Sequence, residues 1–213
     1  MTRTGLLGGS FNPAHGGHRA ISLRAIRALG LDEVWWLVSP GNPLKSGVAD
    51  MAPLAVRVRS ARAQARRAPI RVTAIERELG TRYTDDTLRA LGRRFPKRRF
   101  IWLMGADNLA SFHRWRNWRG IAARVPIAAI TRPGYGPQAR AARAMGWFGR
   151  FVQRPDQAVD WTDWSPPAIV LLRLPPDPTS ATNLRARVPD WHRHFAGPVA
   201  DEVTGRLIEE EPA

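Results

Sequence analysis

Short apolar runs of strand length recur along the chain, separated by stretches in which apolar residues return every three or four positions. Thr4–Leu7 is the first run. Ile21, Leu23, Ile26 and Leu29 then recur at helical spacing, with Gly30 placed to stop the helix. Glu33–Val38 follows as a second strand, apolar enough to be buried on both faces of a parallel sheet. Strand, helix and strand make a βαβ unit, and the crossover of such a unit is right-handed.

Further on, Leu54, Val58, Ala61 and Ala65 mark the inner stripe of a helix over Leu54–Arg67, and Ile70–Ile75 alternates as a strand. Glu76–Gly80 reads as a polar connection, and the next helix opens where Thr84 or Asp85 can cap it. Arg99–Met104 and Ile127–Ile130 are strands, with a short helix starting after Gly105 between them. Gln138–Phe151 reads as a helix, and Gln153–Pro167 as an irregular Trp- and Pro-rich cover. Ile169–Leu174 is expected to be the last strand; Pro175–Pro178 breaks it, Thr179–Arg185 begins a helix, and Pro198–Glu210 closes as a terminal helix. Strands and helices in this alternation predict an α/β fold. The expected architecture is a Rossmann-like, doubly wound parallel sheet with helices on both faces, in a single domain over residues 1–213.

Composition narrows the picture. A chain of 213 residues can bury a substantial core, and its apolar runs fall short of membrane-spanning length. With no cysteine there are no disulfides and no thiolate chemistry, which fits the expected cytoplasmic location. The formal net charge of +15 invites a nucleic-acid partner. Against that, the basic residues are nearly all arginine, with Lys45 and Lys97 the exceptions, and they are spread along the chain without a basic tail. Small anionic substrates account for the charge as well as nucleic acid does. Nucleic acid and membrane are therefore not expected as partners, whereas a homo-oligomer stays open.

The densest candidate chemistry is Gly8-Gly9-Ser10-Phe11-Asn12-Pro13-Ala14-His15-Gly16-Gly17-His18, a strand-to-helix turn rich in glycine. Backbone N–H groups at a helix start lack intrahelical partners and favour an anion, so the turn suits a phosphate. His15 and His18, three apart, share one face and can point at one ligand. Two surface histidines on a Gly-rich connection remain the bland alternative. A metal is a weaker one, since no carboxylate or cysteine lies nearby to complete a site. The spacing is neither the G-x-G-x-x-G fingerprint nor a GK[ST] loop.

Residue for residue, the turn resembles the G-x-F-x-P-x-H-x-G-H signature of the nucleotidyltransferase α/β-phosphodiesterase superfamily. Two later segments extend the resemblance to the bacterial nicotinate mononucleotide adenylyltransferases, and a third matches a further motif of the superfamily. Glu76 with Tyr83-Thr84-Asp85-Asp86-Thr87-Leu88 matches a Glu followed by Ser-Tyr-Thr-x-x-Thr-Leu, with Arg82 at the serine position. Gly105-Ala106-Asp107 followed by Trp115 matches Gly-x-Asp and a tryptophan, with Arg116 where tyrosine is frequent. Ser180-Ala181-Thr182-Asn183-Leu184-Arg185 is similar to Ile-Ser-Ser-Thr-x-Ile-Arg, with Ala181 at the second serine. Asn42-Pro43-Leu44-Lys45 and Arg132-Pro133-Gly134 also fall where the family has a lysine-bearing loop and an Arg-Pro-Gly turn.

What the resemblance implies is transfer of AMP from ATP to nicotinate mononucleotide, giving nicotinate adenine dinucleotide and pyrophosphate, a step of NAD biosynthesis. It assigns catalysis to His15, His18, Lys45 and Arg185. ATP and its phosphates would be held by Gly8, Gly9, Ser10, Phe11, His15, His18, Gly105, Asp107, Ser180, Thr182 and Arg185. Nicotinate mononucleotide would be held by Ser10, Lys45, Tyr83, Thr84, Trp115 and Arg132, with the Trp115 indole against the pyridine ring. Mg²⁺ is expected with ATP, and no protein metal site. Taken by the residues alone, Asp107 could cap its helix, Trp115 and Trp118 could be core packing, and Thr182 with Arg185 could be a cap and a solvated cation. The rival readings are a sister nucleotidyltransferase acting on nicotinamide mononucleotide or phosphopantetheine, and a basic nucleic-acid-binding protein.

Overall fold

The computed structural model describes residues 1–41, 51–131, 140–173 and 181–209. Seven strands form one parallel sheet: β1 (Thr2–Gly9), β2 (Glu33–Val38), β3 (Ile70–Thr73), β4 (Arg98–Gly105), β5 (Ile127–Thr131), β6 (Val152–Gln153) and β7 (Ile169–Arg173). Their order is β3-β2-β1-β4-β5-β7-β6. The chain thus winds outward from β1 to one edge, returns, and resumes on the other side with β4. Leu7 pairs with Trp36 on one side and Leu103 on the other, so the loops leaving β1 and β4 diverge above neighbouring strand ends. Open parallel sheets place their ligand crevice at such a reversal.

Alternation sorts the side chains into two cores. Leu7, Trp36 and Leu103 face α1 (Gly16–Leu29) and α2 (Leu54–Ala65), whereas Leu6, Trp35 and Trp102 face α4 (Thr84–Arg94) and α6 (Trp118–Arg124). All four residues of the expected α2 stripe are buried. Gly8 has to be glycine for packing: a Cβ there would come within 2.7 Å of the Trp102 indole. At the opposite end of the sheet from the crevice, Glu33 gathers the strand starts. Arg71 of β3 pairs with its Oε2 at 2.9 Å, Arg98 of β4 donates to its Oε1, and Trp35 Nε1 donates to Oε1 at 2.8 Å.

Five expectations need correction. Ile70–Ile75 is a strand only to Thr73, and the supposed polar connection is the helix α3 (Ile75–Leu79), closed by Gly80 at φ 63°. The cause lies far away in sequence: Asp201 accepts from Ala74 N at 2.7 Å and Thr73 Oγ1 at 2.9 Å, while Thr73 Oγ1 accepts from Ile75 N. The expected terminal helix is an antiparallel ribbon, β8 (Val199–Ala200) with β9 (Leu207–Ile208). Asp201 Oδ1 accepts from the N–H groups of Val203 and Thr204 at 2.9 Å each, bending the chain into a turn where a helix would run on. Glu202 covers the outer edge of β3, with Oε2 accepting from Val72 N at 2.7 Å and its own N–H donating to the Val72 carbonyl at 3.2 Å. The helix expected to reach Phe151 is helical over Arg143–Phe148 and tightens to a 3₁₀ turn over Gly149–Phe151. The irregular cover is ordered as a 3₁₀ segment over Pro155–Asp163, pinned by Trp161 Nε1 donating to the Leu29 carbonyl at 2.9 Å. No helix among the described residues is long and apolar enough to cross a membrane.

Candidate active site

β1 delivers the chain into the glycine-rich turn at the sheet's reversal point. Phe11 takes the left-handed region at φ 47°, and the Asn12–Pro13 peptide is cis. A non-glycine residue holds such a conformation where packing enforces it. Here the Phe11 ring is 1 % exposed, stacks on Trp36 at 5.1 Å and lies 4.7 Å from the His18 ring.

His15 is the N-cap of α1. Its Nδ1 accepts from Gly17 N at 3.2 Å, and His18 Nδ1 accepts in turn from His15 N at 3.2 Å. This is a capping box built from two imidazoles. Because each Nδ1 accepts a backbone N–H, each neutral ring carries its proton on Nε2. The rings lie 3.8 Å apart, so their donor edges are held as a pair at the positive end of a fourteen-residue helix. That arrangement suits an anion with several oxygens.

Other elements lock this turn. Arg185, on the helix Ala181–Arg187, donates to the Asn12 carbonyl at 2.7 Å, joining the last motif to the first. Asn12 Oδ1 accepts from Ala52 N at 3.1 Å, and Ser39 N donates to the Gly9 carbonyl at 3.0 Å. Thr182 is exposed on the same helix as Arg185. Gly105 ends β4 and is the N-cap of α5 (Ala106–Ser111). Asp107 is exposed in the first turn of α5, where no side chain caps the helix, so the capping alternative for Asp107 falls away. Lys45, Arg132 and Ser180 lie outside the described residues.

A second group forms where α4 begins. The N-cap is Tyr83 and no side chain caps the helix, which corrects the expected Thr84 or Asp85 cap. Asp85 is instead buried at 3 % exposure, because it faces across to α6: Asn117 Nδ2 donates to it at 2.8 Å, Arg89 at 2.9 Å and Arg124 at 3.4 Å. Arg116 lies 4.4 Å over the Tyr83 ring and pairs with Asp86 at 3.3 Å. These contacts bring Tyr83 and Thr84 beside the Trp115–Asn117 loop, two segments separate in sequence. Trp115 is half-buried, meeting Phe112 and Trp102 edge to face. Behind the turn, Thr87 Oγ1 lies 2.9 Å from Glu76 Oε1 and 2.9 Å from Thr81 Oγ1. Burial pushes the Glu76 carboxyl up to about 7, with the Thr87 hydroxyl pulling the other way.

Sequence reasoning missed Arg57, 2 % exposed beneath both loops of the phosphate turn. A signal was there: position 57 lies three residues after Leu54 and four before Ala61, on the apolar stripe of α2. It also missed the partners of Asp85, since nothing local in sequence links positions 85, 117 and 124.

The family pattern described as cytidylyltransferase-like matches residues 6–187. A protein of Erythrobacter litoralis named as a probable nicotinate-nucleotide adenylyltransferase is 60 % identical over 213 residues, covering 99 % of this chain and 97 % of its own. One of Cereibacter sphaeroides, with the same name, is 47 % identical over 182 residues, covering 85 % and 95 %. Among solved structures, nicotinic acid mononucleotide adenylyltransferase of Plasmodium falciparum, complexed with APC or with NaAD, superposes with a TM-score of 0.61. The two complexes are 13 % and 14 % identical to this chain, each covering 87 % of it and 83 % of the Plasmodium chain, a likeness of fold. By the pattern that spans most of it and by relatives alike over nearly its whole length, the chain belongs to the cytidylyltransferase-like family, among the nicotinate-nucleotide adenylyltransferases.

Proposed function

We propose that the chain joins nicotinate mononucleotide to the AMP part of ATP, releasing pyrophosphate. The observation carrying this reading is the likeness along the whole chain to a relative of that name, 60 % identical. The site supports it: a phosphate-suited turn stands at the reversal point, and a separate aromatic turn stands beside Trp115 for the acceptor.

In the proposed reaction an oxygen of the mononucleotide phosphate attacks the α-phosphorus of ATP in line. A bond forms from that oxygen to phosphorus as the bond to the β-phosphate oxygen breaks, and the electron pair leaves with pyrophosphate. The attacking phosphate is already anionic at neutral pH, so no general base is required. Catalysis is then positioning and charge stabilisation. His15 and His18 donate through Nε2 to the phosphate oxygens, Arg185 adds a fixed cation beside the turn, and Lys45 adds a second cation. Gly8, Gly9, Ser10 and Phe11 shape the turn, and Gly105, Asp107, Ser180 and Thr182 border the nucleotide. Thr84, at the start of α4, offers its backbone N–H to the nicotinate carboxylate, and Trp115 lies against the ring.

Among the described residues no three His, Cys, Asp or Glu side chains gather to hold a metal ion. Mg²⁺ belongs to this proposal as the companion of the triphosphate, where it would supply further neutralising charge.

The test is pyrophosphate release from ATP with nicotinate and nicotinamide mononucleotide supplied separately. Strong release with the first and weak release with the second is expected. Release only with nicotinamide mononucleotide would reassign the acceptor, and release with neither would send the search to phosphopantetheine.

A further inference from the structure

We infer that Arg57 is a positioning residue that sets the spacing between the phosphate turn after β1 and the loop after β2. This rests on the triphosphate reading of that turn. Arg57 projects from the first turns of α2 into the interior, and its guanidinium gathers carbonyls from three chain segments. Nε donates to Ala52 O at 2.8 Å, and Nη1 to Ser10 O at 2.9 Å and Ser39 O at 2.7 Å; Nη2 lies 3.5 Å from Pro40 O.

Ser10 belongs to the phosphate turn, Ser39 and Pro40 to the loop leaving β2, and Ala52 to the segment leading into α2. Each segment also touches the turn directly: Ala52 N donates to Asn12 Oδ1, and Ser39 Oγ donates to the Gly9 carbonyl at 3.3 Å. One planar side chain therefore closes a ring of bonds around the base of the turn. The segments it joins are 47, 18 and 5 residues from it in sequence, so local structure alone would not hold them in this register.

A guanidinium fits this task because its donors point in fixed, divergent directions within one plane. A lysine ammonium keeps the charge but cannot span the same carbonyls. Displacement of the Ser10 backbone moves the turn that carries Phe11 and leads into His15. Small displacements of a positioned group lower reactivity by up to about a hundredfold.

The inference is tested with Arg57→Lys and Arg57→Ala, measuring melting, equilibrium binding of a non-hydrolysable ATP analogue, and steady-state kinetics for each substrate. Folded Arg57→Lys is expected to bind the analogue about tenfold more weakly and to lose about ten- to a hundredfold in kcat/KM for ATP. Its KM for nicotinate mononucleotide should change by less than about twofold. Millimolar guanidinium should restore part of the lost analogue binding to Arg57→Ala. Wild-type analogue affinity in folded Arg57→Lys would overturn the inference, as would losses equal for both substrates. So would failure of both variants to fold even with guanidinium, since the side chain is then a support of the core. Normal analogue binding by the wild-type chain without pyrophosphate release from either mononucleotide would sink the proposed reaction and leave the role of Arg57 standing or falling on the binding data.

Discussion

At the residue scale the two histidines do two jobs that substitution can separate. His15 caps α1 through Nδ1, and in the proposed mechanism it donates from Nε2–H to phosphate. Asparagine is among the best N-cap residues, and loss of a cap to alanine costs about 1 kcal/mol. His15→Asn is therefore expected to melt within about 2 °C of wild type and to lose most of its turnover, while His15→Ala should lose both stability and activity. His18→Ala is expected to lower kcat by about a hundredfold, the scale of losing one donor to a transition state. Turnover near that of wild type in either variant, measured by pyrophosphate release, would remove that ring from the mechanism.

Glu76 makes a pH prediction with a definite sign. Its carboxyl is raised to about 7 in the fold, by burial, against an ordinary 4.5. The folded chain binds this proton more tightly than the unfolded chain. Stability from this group is therefore fully present below about pH 4.5 and is lost as pH rises through about 7. The amount is at most about 3 kcal/mol. Glu76→Gln keeps an oxygen acceptor for Thr87 and removes the titration. Between pH 5 and 8, on the order of that window, the melting midpoint of wild type should fall relative to that of Glu76→Gln. Parallel pH profiles would show that the carboxyl is not held this way.

At the scale of elements, what could be read from sequence and what could not divide along a physical line. β2 was legible because Trp35 and Trp36, on opposite faces, are both buried, and so was α2, whose stripe needs only local spacing. α3 and the β8–β9 ribbon were not. Their geometry depends on Asp201 and Glu202 meeting residues about 130 positions away, and no local pattern encodes a partner at that range. The histidine pair was legible because all its capping partners lie within three residues. The latch between α4 and the loop before α6 was not, although its parts, Tyr83 and Trp115, were named separately. Arg116 holds that latch through the Tyr83 ring and Asp86 while remaining half-exposed, so its loss should cost little stability. Arg116→Ala is expected to raise KM for the acceptor about fivefold, leave KM for ATP within a factor of about two, and leave melting nearly unchanged. An equal rise for both substrates would argue against a local latch.

At the scale of the whole molecule, the sheet separates chemistry from support. The candidate site lies at the strand ends beside Gly9 and Gly105, whereas Glu33 binds the strand starts through Arg71 and Arg98. Glu33 is 8 % exposed, and removing its charge leaves an arginine without its partner. Glu33→Gln is expected to lower stability by about 2 kcal/mol, several degrees in melting midpoint for a chain of this length. Turnover at 25 °C should be unaffected in the surviving folded protein. A fall in kcat at constant fold would mean that the two ends of the sheet are coupled.

The cap that Glu202 places over Val72 has a counterpart across the sheet, where β6 is only two residues long. Both margins are thus poor templates for a visiting strand. Among the described residues, a second copy of this chain would find little ladder to extend at Val72 or beside β6, which works against crowded chains zipping together edge to edge.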